Sequence, residues 1–221
     1  MLLALDAGES EDEPEALWSL ADILSVACGG HAGDAASMAR LVRFCASAQR
    51  ARLGAHPSYP DRAGFGRRTI AISEAPLADE IARQCGALAA IAGASPVRWV
   101  KPHGALYHDA ARSPELARAV VHGASRALGD AISLIGPSAG ALREAALAAG
   151  LGYLSEGFAD RGIRADGTLV PRGEPGALIT EPAAAAARVH ALAGSVDVVC
   201  VHADTPGALA IARAVREALD A

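Results

Sequence analysis

VRWVKPHGALYHD, Val97 to Asp109, is the stretch on which the reading of this chain turns. Apolar residues run up to Lys101, and a proline, a histidine, a glycine and a tyrosine follow within a few positions. A buried strand that breaks into a polar turn has this pattern. Pro102 has no backbone N–H to give to a sheet, so the strand is expected to end near Lys101. Gly104 lets the chain bend sharply. Lys101, His103 and Tyr107 then stand at the rim of a strand, where α/β folds commonly place their chemistry.

The same alternation extends in both directions. Strands are expected at Leu2 to Asp6, Leu24 to about Cys28, a short run to about Ala55, Ala131 to Gly136, a run to about Glu156, and Val196 to Val201. Helical spacing predicts helices within Ser10 to Leu24, Ala35 to Arg50, Ser73 to Ala92, Ser113 to Leu128, Ser138 to just before Gly150, Thr180 to Leu192, and Pro206 to Leu219. Ser73, Ser113 and Ser138 are candidate caps. GIRADGTLVPRGEPGA, Gly162 to Ala177, is an excursion with a small hairpin expected around Asp166-Gly167. Seven strands alternating with seven helices, without a linker-like tract, predict one domain over residues 1–221. Strands apolar on both faces imply a parallel sheet covered by helices. A closed barrel of about seven strands uses every block, and the pattern alone also admits an open doubly wound sheet.

Composition narrows the function. The chain is 52% hydrophobic and 20% charged, a globular balance that argues against disorder. Aromatics are 4%, so alanine, leucine and valine must do most of the packing. A net charge of -5 argues against a nucleic-acid partner, which usually needs a basic face. Cys28, Cys45, Cys85 and Cys200 are widely spaced, with no CxxC and no secretion signal. They read as reduced thiols in a cytoplasmic protein. No apolar run approaches the length of a membrane span, so no membrane partner is expected.

Polar residues gather where strands end. Asp6 and Glu9 follow the first strand, His31 and Asp34 the second, His56 and Asp61 the third. Lys101, His103 and Tyr107 mark the fourth, Glu156, Asp160 and Arg161 the sixth, His202 and Asp204 the seventh. In a parallel sheet these ends share one face. One histidine at a strand end is an ordinary turn or core residue, but four beside acids or a lysine point to a shared cleft. His108, His122 and His190 keep the ordinary reading. The set admits two chemistries. Asp6, His31, His56 and His103 suit a divalent metal, although no compact HxH or HExxH occurs. Without metal, the same groups serve as general acids and bases. Lys101 either neutralises a carboxylate, phosphate or oxyanion or forms a structural ion pair. GFGRR, Gly64 to Arg68, is no dinucleotide fingerprint, but its arginines, with Arg161 and Arg172, are candidates to clamp an anion. No Walker A sequence occurs, so a conventional P-loop site is not expected. Cys28 and Cys200 read as buried strand residues rather than nucleophiles.

The motifs ACGGHAGD (Ala27 to Asp34), GAHPSYPDRAGFGRR (Gly54 to Arg68), VKPHGALY (Val100 to Tyr107), FADR (Phe158 to Arg161), LVPR (Leu169 to Arg172) and CVHADTP (Cys200 to Pro206) resemble the LamB/YcsF family, in order and over nearly the whole chain. The resemblance implies an α/β fold, an irregular seven-stranded (β/α) barrel similar to the glycoside hydrolase/deacetylase barrels. It implies the A subunit of an ATP-dependent 5-oxoprolinase, acting with B and C subunits to open the lactam of 5-oxo-L-proline to L-glutamate. ATP, with Mg2+ as its usual counter-ion, is the implied cofactor. Ala4 and Ser25 stand where the family has asparagines, Gly30 replaces a phenylalanine, Ile163 a tyrosine and Ala203 a glycine.

On this resemblance Asp6, His31, His56, Asp61 and His103 are the expected catalytic set. One histidine, oriented by Asp6 or Asp61, acts as base toward water and another protonates the leaving nitrogen. Glu9, Asp34, Arg67, Lys101, Tyr107, Glu156, Asp160, Arg161, Arg172, His202 and Asp204 are the expected substrate- or phosphate-binding set. Two other classes remain: a metal-dependent amide hydrolase or deacetylase on a small polar substrate, and a non-catalytic partner-binding subunit.

Overall fold

The computed structural model describes residues 1–164 and 168–221. Seven strands, β1 (Leu2–Ala7), β2 (Ile23–Ala27), β3 (Arg52–His56), β4 (Trp99–Val100), β5 (Ser133–Gly136), β6 (Gly152–Phe158) and β7 (Val198–His202), pair in sequence order, all parallel. β1 also pairs with β7, so the sheet closes into a barrel and the open-sheet alternative is excluded.

Eight helices surround it among the described residues: α1 (Glu15–Trp18), α2 (Ala35–Ser47), α3 (Glu74–Ala92), α4 (Gly104–Arg112), α5 (Pro114–Leu128), α6 (Ala141–Ala148), α7 (Pro182–Leu192) and α8 (Ala208–Asp220). The count exceeds the expected seven by α4. Its Pro-His-Gly entry reads as a turn, yet the turn lasts only as far as Gly104. The expected first helix shrinks to α1, because Glu13 folds back onto the backbone N–H groups of Gly8, Glu9 and Ser10. Ser113 caps α5 as expected, accepting from the Leu116 amide. Ser73 stands at the start of α3 without a side-chain bond, and Gly140, not Ser138, precedes α6. Ile163 bridges to Leu169, and the hairpin expected around Asp166-Gly167 lies outside the described residues.

The two-residue period of a strand arranges the barrel interior. Leu3, Leu5, Val199 and Val201 point outward into the layer under the helices. Ala4, Ile23, Ile135 and Val198, with Trp99 and Leu154, form a separate apolar plug inside the barrel. Two residues further along the same strands the interior becomes polar: Asp6 after Ala4, Lys101 after Trp99, Glu156 after Leu154, and Cys200 then His202 after Val198. Asp6, Glu156 and His202 therefore lie within strands rather than after them. Of the departures from the family motifs, Ala4 falls in this layering and Gly30 in the loop after β2. Ala4 is a fully buried member of the plug. At Gly30 a Cβ would collide with Gln84 Oε1 and Ser58 Oγ, so this pair fills the space beside the backbone.

Candidate active site

At the floor of the barrel mouth, Lys101 is 3% exposed. Its Nζ donates to Asp6 Oδ1 at 2.8 Å and to Cys200 Sγ at 3.2 Å, and lies 3.0 Å from Glu156 Oε1. The last contact has the length of an ion pair without hydrogen-bond alignment, and neither Glu156 oxygen receives a hydrogen bond among the described residues. Burial opposes the ammonium, but Asp6, Cys200 and Glu156 hold its pKa well above the ordinary value. The two carboxylates diverge. Burial works against the Asp6 charge, yet His56, Lys101 and His202 keep its carboxyl well below the usual range. For Glu156, burial outweighs Lys101 and lifts the pKa. Asp6 is therefore the ionised partner and Glu156 the more readily protonated one. The buried Tyr107 hydroxyl has no hydrogen-bond partner among the described residues, and burial, then Glu156, raises its pKa.

Three histidines surround Glu9. Its Oε1 lies 2.9 Å from His31 Nε2, 3.1 Å from His103 Nδ1 and 3.8 Å from His56 Nε2. Burial opposes its charge, but the facing His103 and His31 nitrogens pull its carboxyl down. Burial pushes His31 down to about 3 against the pull of Glu9, and also lowers His103. His31 and His103 are stacked, ring centroids 3.6 Å apart, and His56 stands nearly perpendicular to both. Beyond them Asp160 is fully buried and accepts from the amide and Nδ1 of His202 and from Thr205 Oγ1. Burial opposes the His202 charge, but Asp160 raises its pKa above 6.5.

Above the floor is a cavity of about 340 Å³, lined by Asp6, Glu9, His56, Lys101, His103, Tyr107, His108, Phe158 and His202, with Arg67, Arg161 and Arg172 at its rim. Asp204 ties Arg67, at 2.8 Å, to Arg172, at 3.1 Å. Arg161 donates to the Ala177 and Val170 carbonyls and, among the described residues, pairs with no carboxylate. Burial, then Arg172, lowers its pKa. The cavity is of small-molecule size and positive at its rim.

The family model described as LamB/YcsF family matches residues 5–221. This chain belongs to the LamB/YcsF family. It is 44% identical to the 5-oxoprolinase A subunit of Streptomyces avermitilis, over 95% of this chain and 89% of that one. To the 5-oxoprolinase A subunit of Methylococcus capsulatus it is also 44% identical, over 99% and 92%. The solved lactam utilization protein from Thermus thermophilus superposes with a TM-score of 0.89 at 34% identity, covering 100% of this chain and 96% of that one.

Within this LamB/YcsF barrel most of the expected site residues converge, and two do not. Asp34 is exposed and caps α2, its Oδ1 accepting from Ser37 N while Ser37 Oγ accepts from Asp34 N. Asp61 orients no histidine among the described residues. It receives the Arg68 guanidinium and the Gly64 amide, and closes the loop that carries Arg67. His31 touches Glu9 and Glu156 touches Lys101, but neither lines the cavity, and Asp160 stands behind His202. His108, read as an ordinary helix residue, reaches the cavity wall, whereas His122 meets Glu74 on the surface and His190 is exposed. All four cysteines are buried and free. Burial pushes Cys28 up to about 12 and Cys200 well above its usual value, so neither is a thiolate nucleophile.

Two residues escaped the reading of the motifs. Glu13 is buried, and besides the three amides it accepts from Trp18 Nε1, which fixes the loop bearing Glu9. An acid in an acidic run reads as solvated, and the signal available was the tryptophan five residues on. Phe65, at φ 53°, is the one non-glycine residue with positive φ among the described residues, and its carbonyl accepts from His103 Nε2. Strain of this kind gathers at functional sites. Gly66 follows, and a Cβ on Gly104 would collide with the Gly66 carbonyl oxygen, so α4 can start against this loop only with glycine there.

Proposed function

We propose that this chain is the A subunit of an ATP-dependent 5-oxoprolinase that opens the lactam of 5-oxo-L-proline to L-glutamate with B and C subunits. The observation that carries the reading is a charged lysine and two oppositely tuned carboxylates beneath a cavity whose rim holds Arg161 without an acidic partner among the described residues. The substrate needs these parts. Its carboxylate needs a cation at the rim, supplied by Arg161 with Arg67 and Arg172. Its carbonyl oxygen needs fixed positive charge below it, supplied by Lys101.

An amide is a poor electrophile, so phosphoryl transfer from ATP to the lactam oxygen gives an imidate-like carbon that accepts water. The imidazoles facing the cavity, His56 and His103, are placed to take a proton from that water. The ring C–N bond breaks as the tetrahedral carbon regains its carbonyl, the nitrogen takes a proton, and a second water hydrolyses the resulting glutamyl phosphate to glutamate and phosphate. Lys101, which lines the cavity, is placed to give the nitrogen its proton, and Glu156, held toward its acid form 3.0 Å from Lys101 Nζ, restores that proton.

The test is to purify the chain alone and with its B and C partners and to follow glutamate and ADP from 5-oxoproline. The assembly should release both, and the isolated chain neither. An assembled complex that forms neither product overturns the reading.

A further inference from the structure

We propose that Glu9 Oε1, His56 Nε2 and His103 Nδ1 hold one divalent transition cation of the zinc class, with a water at a fourth position facing the cavity. Proton positions decide which atoms can bind it. His56 Nδ1 lies 2.7 Å from the Lys101 carbonyl, and His103 Nε2 lies 3.0 Å from the Phe65 carbonyl. A carbonyl oxygen only accepts, so both of these nitrogens carry hydrogen. A neutral imidazole has one N–H, so His56 Nε2 and His103 Nδ1 both present lone pairs. They face each other at 3.0 Å, with Glu9 Oε1 at 3.1 Å from His103 and 3.8 Å from His56. With both rings neutral, three electron-pair donors turn toward one point, with Asp6 Oδ2 also 3.4 Å from His56 Nε2, an arrangement suited to a cation.

The spacing is that of a metal. Bonds of about 2.0–2.1 Å in a tetrahedron set ligand atoms about 3.3–3.4 Å apart, and the observed separations straddle that value. The His56 and His103 rings are at 88°, so one ion can lie in both planes. His31 is excluded as a ligand because its ring is parallel to His103, 2° apart and 3.6 Å away, and one ion cannot lie in both planes. It donates Nε2–H to Glu9 and orients the carboxylate. The outer partners match as well. Metal-binding histidines give their other N–H to a carbonyl or carboxylate, as both do here. Glu9, His56 and His103 all line the cavity, so the open position faces it. Two imidazoles and one carboxylate favour zinc-like ions over magnesium or calcium. The neighbouring set of Asp6, Cys200 and His202 cannot compete, because Lys101 Nζ already sits against Asp6 and Cys200. An ion so placed would take up the lone pairs of His56 and His103 in place of their role as base and would itself supply a water of lowered pKa where the lactam reading needs its nucleophile.

The site is tested by binding alone, without substrate, so its failure leaves the lactam reading standing and the reverse. The full chain, purified without a histidine tag and stripped with a chelator, is titrated with Zn2+ and with Co2+. One equivalent of each should bind, and cobalt should show the visible bands of a four- or five-coordinate nitrogen–oxygen site with no thiolate band. Proton–nitrogen correlation spectra should show His56 bound through Nε2 and His103 through Nδ1. Glu9→Gln and His103→Gln should weaken zinc by more than roughly 100-fold, and His31→Gln by about 10–100-fold with unchanged stoichiometry. No stoichiometric uptake means the lone pairs share a proton instead, which overturns the proposal. A thiolate–cobalt band, or unchanged affinity in both ligand variants, overturns it equally. If those variants do not fold, the wild-type cobalt and nitrogen spectra decide alone.

Discussion

The floor of the barrel mouth and its rim are both built from charged side chains, and they are held in opposite ways. On the floor Asp6, Lys101, His56 and Glu156 are buried, and strand register or a backbone group places each one. At the rim Arg67 and Arg172 come from loops and meet through Asp204, with solvent around all three. Charges on the floor have lost their water and depend on one another, so removing one strands the rest. Charges at the rim keep solvent, so their pairs add little to stability and remain free to engage an incoming anion. The proposed function places chemistry on the floor and charge selection at the rim.

Lys101→Met should give the largest effect. It leaves Asp6 and Glu156 buried without their cation, a loss of about 3–5 kcal/mol in unfolding free energy by urea titration, together with loss of turnover. A loss under about 1 kcal/mol would place the floor with the rim and break the contrast. Glu13→Gln comes next. A neutral amide cannot serve three backbone N–H groups and an indole, so about 1–3 kcal/mol should be lost. The loosened Glu9 loop should lower kcat while KM holds, and loss of one bond's worth, about 1.4 kcal/mol, is tenfold.

Arg161→Met should act on the rim only. KM for 5-oxoproline should rise roughly 10–100-fold, the worth of a charged hydrogen bond, with the melting curve nearly unmoved. A fall in kcat at constant KM would instead assign Arg161 to the chemistry. The smallest effect is on pH dependence. His202 gains a proton affinity in the fold that Asp160 supplies. A raised histidine pKa stabilises fully below its unfolded value of 6.5 and loses that contribution as pH climbs through the folded value. The stability gap between wild type and Asp160→Asn should therefore be wider at pH about 6 than at about 9, and the His202 ring signals should titrate lower in the variant. Equal gaps at both would show that Asp160 serves the Thr205 hydroxyl and the His202 amide alone.

Much of the architecture was legible because it is periodic. Alternating strands and helices with no spare block pointed to a closed barrel, and β1 does pair with β7. The missing helix, α4, follows a Pro-His-Gly entry whose local signal is that of a turn. Asp34 and Asp61 were legible as polar residues at strand ends, but each spends its oxygens on its own neighbourhood, a helix cap and an arginine loop. Glu13 was illegible for the converse reason, since nothing in an acidic run says which acid turns inward.

The sequence by itself determined the order of strands and helices, the polar tips of the strands and the family, because period, turn residues and motif spacing are local properties. Only the tertiary structure decided which tips meet. Asp6 and Lys101 are 95 residues apart, and His56 and His103 are 47 apart. They become neighbours because barrel closure and strand register carry two-residue steps from an apolar plug to a charged mouth. Which nitrogen of each histidine carries its hydrogen follows from backbone carbonyls that no sequence motif displays.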